Sequence, residues 1–267
     1  TISAALQTND TTFKAFFRGR DGRVWLFKEH AREQVTARPN ELYRAYGEWG
    51  AAQLARALGL TTAVPIELVT WQGTTGSLQE FFPEATPLTE DALLRLSEEE
   101  LRTILTEQIL DWLISNHDSR AAHFIKTKDG RLLAVDKGQL FKFFLFPGLQ
   151  DELSLTYHPN RDADHPPVYN IIYQNYVYGH LSDSDRLGPD FLERLERDIL
   201  QAVEQAERLT EEQYEQLIGP YFTQRFSLRA HLATEYLEKA KQRRHTLREE
   251  MTTWLFTVRM LRRLEEA

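Results

Sequence analysis

The feature that most constrains this chain is a change of hydrophobic period between Pro83 and Pro87. Before it, apolar residues come in short strand-like runs; after it, they recur every three to four residues, as on a helix face. Phe13 to Arg18 and Arg23 to Lys28 are aromatic- and Val-containing runs around Gly19-Arg20-Asp21-Gly22, which predicts a hairpin. Pro39 and Asn40 open a predicted helix that runs to Leu58 and stops at Gly59. Ile66 to Trp71 and Ser77 to Phe82 flank Gly73-Thr74-Thr75-Gly76, a second predicted hairpin. Beyond Pro87, Ser97 and Glu100 have capping-box spacing ahead of Leu101, Ile104, Leu105, Ile109, Trp112 and Leu113. A short hairpin, Phe124 to Thr127 and Leu132 to Val135 about Asp129-Gly130, interrupts the helices. Later helices carry Phe191 to Val203, then Thr210 and Gln213 with a predicted stop at Gly219-Pro220, then Leu247 to Leu261. Such an order implies an α+β chain of two lobes: residues 1–84 rich in strands, residues 85–267 mostly helical.

Composition narrows the function classes. A chain of 267 residues with 42% hydrophobic and 27% charged residues fills a core of this size and is not a disordered segment. The formal net charge of −8 argues against a general nucleic-acid backbone binder. With no cysteine, a disulfide framework, thiolate-bound zinc and a thiol nucleophile are all excluded. The greasiest stretch, Phe143 to Phe146, is far too short to span a membrane, and no signal segment is read at the start, so the expected location is cytoplasmic.

Three groups of residues point to chemistry. If Asp129-Gly130 is a two-residue turn, His123 and Asp136 are cross-strand neighbours at the hairpin mouth, and Asp118 precedes them by a short loop. Two carboxylates and an imidazole suit a divalent cation plus a general base; the same residues also fit a polar loop with a capping Asp. Lys28 ends the apolar strand Val24-Trp25-Leu26-Phe27, and Glu48 shares a helical stripe with Ala51, Ala52 and Ala55. A carboxylate on a small-residue stripe faces the protein and needs a cation, for which Lys28 is the candidate; Glu41 competes for that lysine. His158, His165 and His180 are scattered through an irregular, aromatic-rich segment with Tyr157, Tyr169, Tyr173, Tyr176 and Tyr178, and read as structural or solvated. Lys239, Lys241, Arg243, Arg244 and Arg248 are offset by nearby glutamates and read as a solvated helical face.

Taken in order, strand Lys, helix Glu, hairpin, linker, helix, Asp, hairpin and Asp136-Lys137-Gly138 resemble the protein-kinase-like fold. The stretch Asp111-Trp112-Leu113-Ile114-Ser115-Asn116-His117-Asp118 is similar to the pattern of its atypical branch. That branch holds HipA-like kinases, phosphatidylinositol 3/4-kinase-like proteins and secretory-pathway Fam20-like kinases. Ala57-Leu58-Gly59-Leu60 followed by Val64-Pro65 matches their helix exit, and the resemblance covers roughly residues 12–146. It implies an ATP-dependent phosphotransferase using Mg²⁺ or Mn²⁺, with a hydroxyl acceptor on a protein, lipid headgroup or metabolite.

By that resemblance, Lys28 holds nucleotide phosphates and is positioned by Glu48. Gln79, Glu80 and Phe82 lie in an interlobe hinge that binds adenine through backbone groups. Asp118 serves the acceptor hydroxyl, and Asp136 binds metal. Three departures stand out. His123 occupies the place of a usual Asn metal ligand, and imidazole suits Mn²⁺ better than Mg²⁺. No Gly-rich phosphate loop is present, so Asn9, Asp10, Thr11 and Thr12 stand in for it. Ser119 follows Asp118 where Arg is usual. Two other functions fit the same residues: a nucleotide-binding pseudokinase acting as an interaction module, and a kinase fold repurposed for another transfer such as AMPylation.

Overall fold

The computed structural model describes residues 2–3, 13–29, 42–116, 119–138, 140–141 and 187–265. Thr11, Thr12, Glu41, Asp118, the phosphate-loop substitute 9–12 and the aromatic, histidine-bearing segment 149–186 lie outside the described residues.

The first lobe is a five-stranded antiparallel sheet in the order β1-β2-β3-β5-β4. Its strands are β1 (Ile2–Ser3), β2 (Phe13–Arg18), β3 (Val24–Glu29), β4 (Ile66–Trp71) and β5 (Thr74–Phe81). Alternation gives the sheet two faces. One face stacks Phe17, Phe27 and Trp71, with ring centroids 5.4–6.5 Å apart. The other presents Lys28 opposite Ser77 and Leu26 opposite Gln79. Helix α1 (Tyr43–Ala57) packs against this second face through its buried small-residue stripe, including Ala51, Ala52 and Ala55. It ends as the sequence predicts: Gly59 adopts φ 74°, and the Gly59 and Leu60 amides donate to the Arg56 and Ala55 carbonyls, a Schellman close.

The β4–β5 hairpin differs from the sequence reading. Its turn is Gln72-Gly73, both at positive φ, and Trp71 pairs with Thr74. A two-residue turn of this kind matches strand twist, so Thr74 to Gly76 belong to the strand and not to the loop.

The second lobe begins with β6 (Thr86–Pro87), which joins β7 (Phe124–Lys126) and β8 (Leu132–Ala134) in a small antiparallel sheet. A short helix α2 (Glu90–Leu93) precedes α3 (Glu98–Leu113), whose start carries the complete Ser97–Glu100 capping box. Leu101, Ile104, Leu105, Ile109, Trp112 and Leu113 are all buried, and each contributes about 1.5–3 kcal/mol by leaving water. Helices α4 (Phe191–Arg208), α5 (Glu211–Arg225), α6 (Ala230–His245) and α7 (Leu247–Glu265) complete the lobe. This is the two-lobed α+β arrangement expected from the sequence.

Two expectations in this lobe are corrected. Helix α5 does not stop at Gly219-Pro220 but runs on to Arg225. Burial of Tyr221 and Phe222, against Phe141 and Tyr236, outweighs the hydrogen bond that Pro220 forfeits. The basic cluster is also only partly solvated. Arg243 is buried, lies 4.1 Å over the Trp112 ring and donates to the Trp112 carbonyl. Arg244, also buried, donates to the Ala206 and Leu209 carbonyls at the end of α4.

Helix α1 packs tightly against the second lobe. Gly47 and Gly50 of α1 lie so close to the second lobe that a Cβ there would fall 2.5 Å from the Leu140 side chain and from the Leu217 carbonyl oxygen, respectively.

Candidate active site

The site is built where the inner face of the first sheet meets α1 and the segment after β8. Lys28 Nζ stands 2.9 Å from Glu48 Oε1. The side chain of Lys28 is 12% exposed and that of Glu48 only 2%. Ser77, directly across from Lys28 on β5, donates to the other Glu48 oxygen at 2.6 Å. Both carboxylate oxygens therefore have donors, which is what a buried charge requires. Burial by itself pushes the Lys28 ammonium down, but the negative charges of Glu48 and then Asp136 outweigh it and hold the ammonium above its ordinary value. Asp136 belongs to the second lobe, and its negative charge acts on Lys28 from there.

Asp136 lies two residues past the end of β8 and adopts φ 61°, uncommon for a residue with a side chain. Its carboxylate is 55% exposed, and its Oδ2 lies 3.6 Å from His123 Nε2. The sequence places His123 opposite Asp136, but the register differs by one. Phe124 pairs with Ala134, and the Val135 amide donates to the His123 carbonyl, so the residue opposite His123 is Val135. The reason is the loop: Thr127 bonds to the Asp129 carboxylate and to the Arg131 carbonyl, which closes a loop of 127–131 instead of a two-residue turn. The left-handed turn at Asp136 then brings its carboxylate back beside His123.

Two ligand types suited to a divalent cation thus lie side by side, one an imidazole and one a solvent-reaching carboxylate. Among the described residues no group of three or more such side chains stands together, and Asp118 is outside them.

Sequence reasoning missed the third part of the site. Lys137, between Asp136 and Gly138, turns inward. Its ammonium lies 2.5 Å from Asp111 Oδ1 and 3.1 Å from Glu107 Oε1, two carboxylates one turn apart on α3. Asn116 donates to the same Asp111 oxygen at 2.7 Å, and Thr62 donates to Glu107. Burial pushes the Lys137 ammonium down, but Asp111 and Glu107 more than reverse this. Burial and the neighbouring Asp111 charge raise the Glu107 carboxyl, against the pull of Lys137. On the other side of Lys137, Gly138 backs onto Glu48, where an added Cβ would lie 3.4 Å from the Glu48 side chain. A signal existed for this cluster: Glu107 and Asp111 occupy an otherwise buried face of α3 at i and i+4.

Near the end of β5, the Glu80 amide donates to the Pro65 carbonyl at 2.9 Å, and the Glu80 side chain reaches toward Arg23 at 3.8 Å. Phe82 also lines a separate cavity of about 570 Å³ with Pro83, Glu84, Thr127, Lys128 and Arg131, which holds none of the Lys28 cluster.

No family model matches the sequence, and no curated protein matches it. Among solved structures the chain is similar to the Helicobacter pylori proinflammatory kinase CtkA, at 12% identity, covering 92% of this chain and 96% of that one with a TM-score of 0.48. It is also similar to a chain of the Shewanella oneidensis MR-1 toxin–antitoxin complex of HipA, HipB and operator DNA, at 11% identity, covering 97% of this chain and 67% of that one with a TM-score of 0.40.

Proposed function

We propose that this chain is an ATP-dependent phosphotransferase that moves the γ-phosphate to a hydroxyl acceptor, with residues 1–84 as the nucleotide-binding lobe and residues 85–267 carrying the catalytic loop. The observation that carries this reading is the buried Lys28–Glu48 pair, 2.9 Å apart, with the Asp136 charge of the other lobe acting on the same lysine. A cation fixed by a buried carboxylate attracts phosphate directly, and a solvent-reaching acid would do so only through a divalent cation it holds.

In this reading Lys28 binds the phosphates, and Glu48 and Ser77 hold Lys28 in place. Thr11 and Thr12 contribute hydroxyls at the phosphate end, and the backbone of Gln79, Glu80 and Phe82 meets the adenine. His123 and Asp136 would hold Mg²⁺ or Mn²⁺, which when bound neutralises phosphate charge. Asp118 orients the acceptor hydroxyl and takes its proton. As the acceptor oxygen bonds to the γ-phosphorus, the bond from that phosphorus to the β–γ bridging oxygen breaks and ADP leaves. Positioning and charge do most of this work.

One observation favours a second reading, a nucleotide-binding module without catalysis. His123 Nε2 stands 3.6 Å from Asp136 Oδ2, so the two groups already partner each other without any metal between them.

Calorimetry of ATP binding with Mg²⁺ and with Mn²⁺, alongside γ-phosphate consumption, tests both. Asp118→Asn is expected to keep nucleotide affinity and lose about 10²–10⁴-fold in turnover. Asp136→Asn is expected to weaken nucleotide binding itself. Full turnover by Asp118→Asn places the base elsewhere. Binding without consumption under either metal selects the second reading, and no binding at all ends the proposal.

A further inference from the structure

Among the described residues, four other than glycine hold a left-handed backbone: Gln72, Ser115, Asp136 and Phe141. Two of them share one anchor. Ser115, at φ 47°, is followed by Asn116, and Asp136, at φ 61°, is followed by Lys137. The side chains of Asn116 and Lys137 donate to the same atom, Asp111 Oδ1, at 2.7 and 2.5 Å. Asp111 is buried in the last turn of α3.

A left-handed turn at a residue with a side chain persists where its surroundings fix it. Asp136 is fixed from both sides. Before it, the Val135 amide donates to the His123 carbonyl at 2.8 Å. After it, Lys137 is held by Asp111 and also by Glu107, 3.1 Å away. At the other turn, the Ser115 amide donates to the Trp112 carbonyl at 3.0 Å and the Asn116 amide to the Asp111 carbonyl at 2.7 Å. The turn at Asp136 carries its carboxylate out to solvent and to within 3.6 Å of His123 Nε2. An exposed carboxylate whose chain neighbour is locked in the interior has the form of a metal ligand held in place by outer groups.

We infer that Lys137 is a positioning residue for the metal side of the site: through Asp111 it ties the turn at Asp136 to the turn at Ser115, and so holds the Asp136 carboxylate beside His123, where a divalent cation would bind. The inference rests on the reading of His123 and Asp136 as the metal pair, and adds to it a residue that touches neither metal nor nucleotide. Asn116 stands two residues before Asp118, so the same buried oxygen anchors the stretch of chain that leads to the proposed base.

The test separates positioning from stability by measuring ATP affinity twice on the full chain, by calorimetry with Mn²⁺ and with EDTA. The ratio of the two affinities is the gain due to metal. Lys137→Met with Glu107→Gln removes the ammonium together with one of its two anions. It is expected to cut the gain about 10–100-fold, while metal-free affinity, which depends on Lys28 and Glu48, stays at the wild-type value. Ile199→Ala, a truncation in the buried core of α4, is the control for stability alone and is expected to leave the gain unchanged. A folded double variant with the wild-type gain overturns the inference, as does an equal fall of both affinities or a matching loss of gain in Ile199→Ala. If the double variant does not fold, Asp111→Asn decides: it keeps an acceptor for Asn116, removes the charge facing Lys137 and is expected to lower the gain in the same direction. An unchanged gain there overturns the inference with nucleotide binding intact. Wild-type protein that binds ATP equally with and without Mn²⁺, or not at all, removes the metal-pair reading and the inference with it.

Discussion

Lys28 and Lys137 each carry a charge deep in the protein, and their surroundings differ. Lys28 meets one carboxylate, Glu48, whose second oxygen is already held by Ser77. Lys137 meets two carboxylates, Glu107 and Asp111, and its side chain is 9% exposed. In the first group the charges balance one to one, and Glu48 keeps a donor if the lysine is removed. In the second, one cation serves two buried anions, and neutral donors from Thr62 and Asn116 cannot replace its charge. The difference separates two uses of a buried lysine. Lys28 joins the sheet to α1, whereas Lys137 pins the backbone between Asp136 and Gly138 to α3.

That contrast can be broken most sharply at Lys137. Lys137→Met removes the cation that Glu107 and Asp111 share, and is expected to cost about 3–5 kcal/mol in a urea unfolding curve. Adding Glu107→Gln should recover part of the loss, because only one buried anion then remains. A stability loss under about 1 kcal/mol would show that the cluster is wetter than its geometry indicates.

Lys28→Met should be milder for the fold, about 1–3 kcal/mol, since Ser77 still satisfies Glu48. Its main effect is expected on ATP affinity, measured by calorimetry. The comparison inverts if Lys28→Met destabilises more than Lys137→Met. Ser77→Ala sharpens the first environment alone and is expected to cost about 1 kcal/mol, with ATP affinity changed little.

The smallest signal is in alkali. Both ammoniums are held above the ordinary lysine value by their carboxylates. Groups whose folded value is raised contribute stability that is fully present below the unfolded value, about 10.4 for lysine, and lost as pH rises through the folded one. The stability gap between wild type and Lys137→Met should therefore narrow above pH of about 10.4, as read from melting temperatures across pH. A gap that widens in alkali would contradict the assigned direction.

Local rules made the first environment legible. Lys28 closes an apolar strand, and Glu48 interrupts a stripe of alanines, so burial of one and its need for the other follow from periodicity. Capping residues likewise announced α3 and α5. What stayed hidden depends on distant partners. Lys137 sits in a polar stretch, and only the folded chain brings it to α3. Arg243 and Arg244 look like surface charges until Trp112 and the end of α4 close around them. The hairpin register at His123 turned on one threonine hydroxyl, which enlarges the loop and shifts every pairing by one. Continuation of α5 through Pro220 needed knowledge of what Tyr221 and Phe222 bury against.

The two close approaches of α1 have a mechanical consequence. With Gly47 against Leu140 and Gly50 against the Leu217 backbone, the helix is braced from behind as well as from its sheet. It has no room to rotate or slide without lifting off α5. Glu48 is carried by that braced helix, so its pairing with Lys28 is a standing part of the architecture and not an on–off contact.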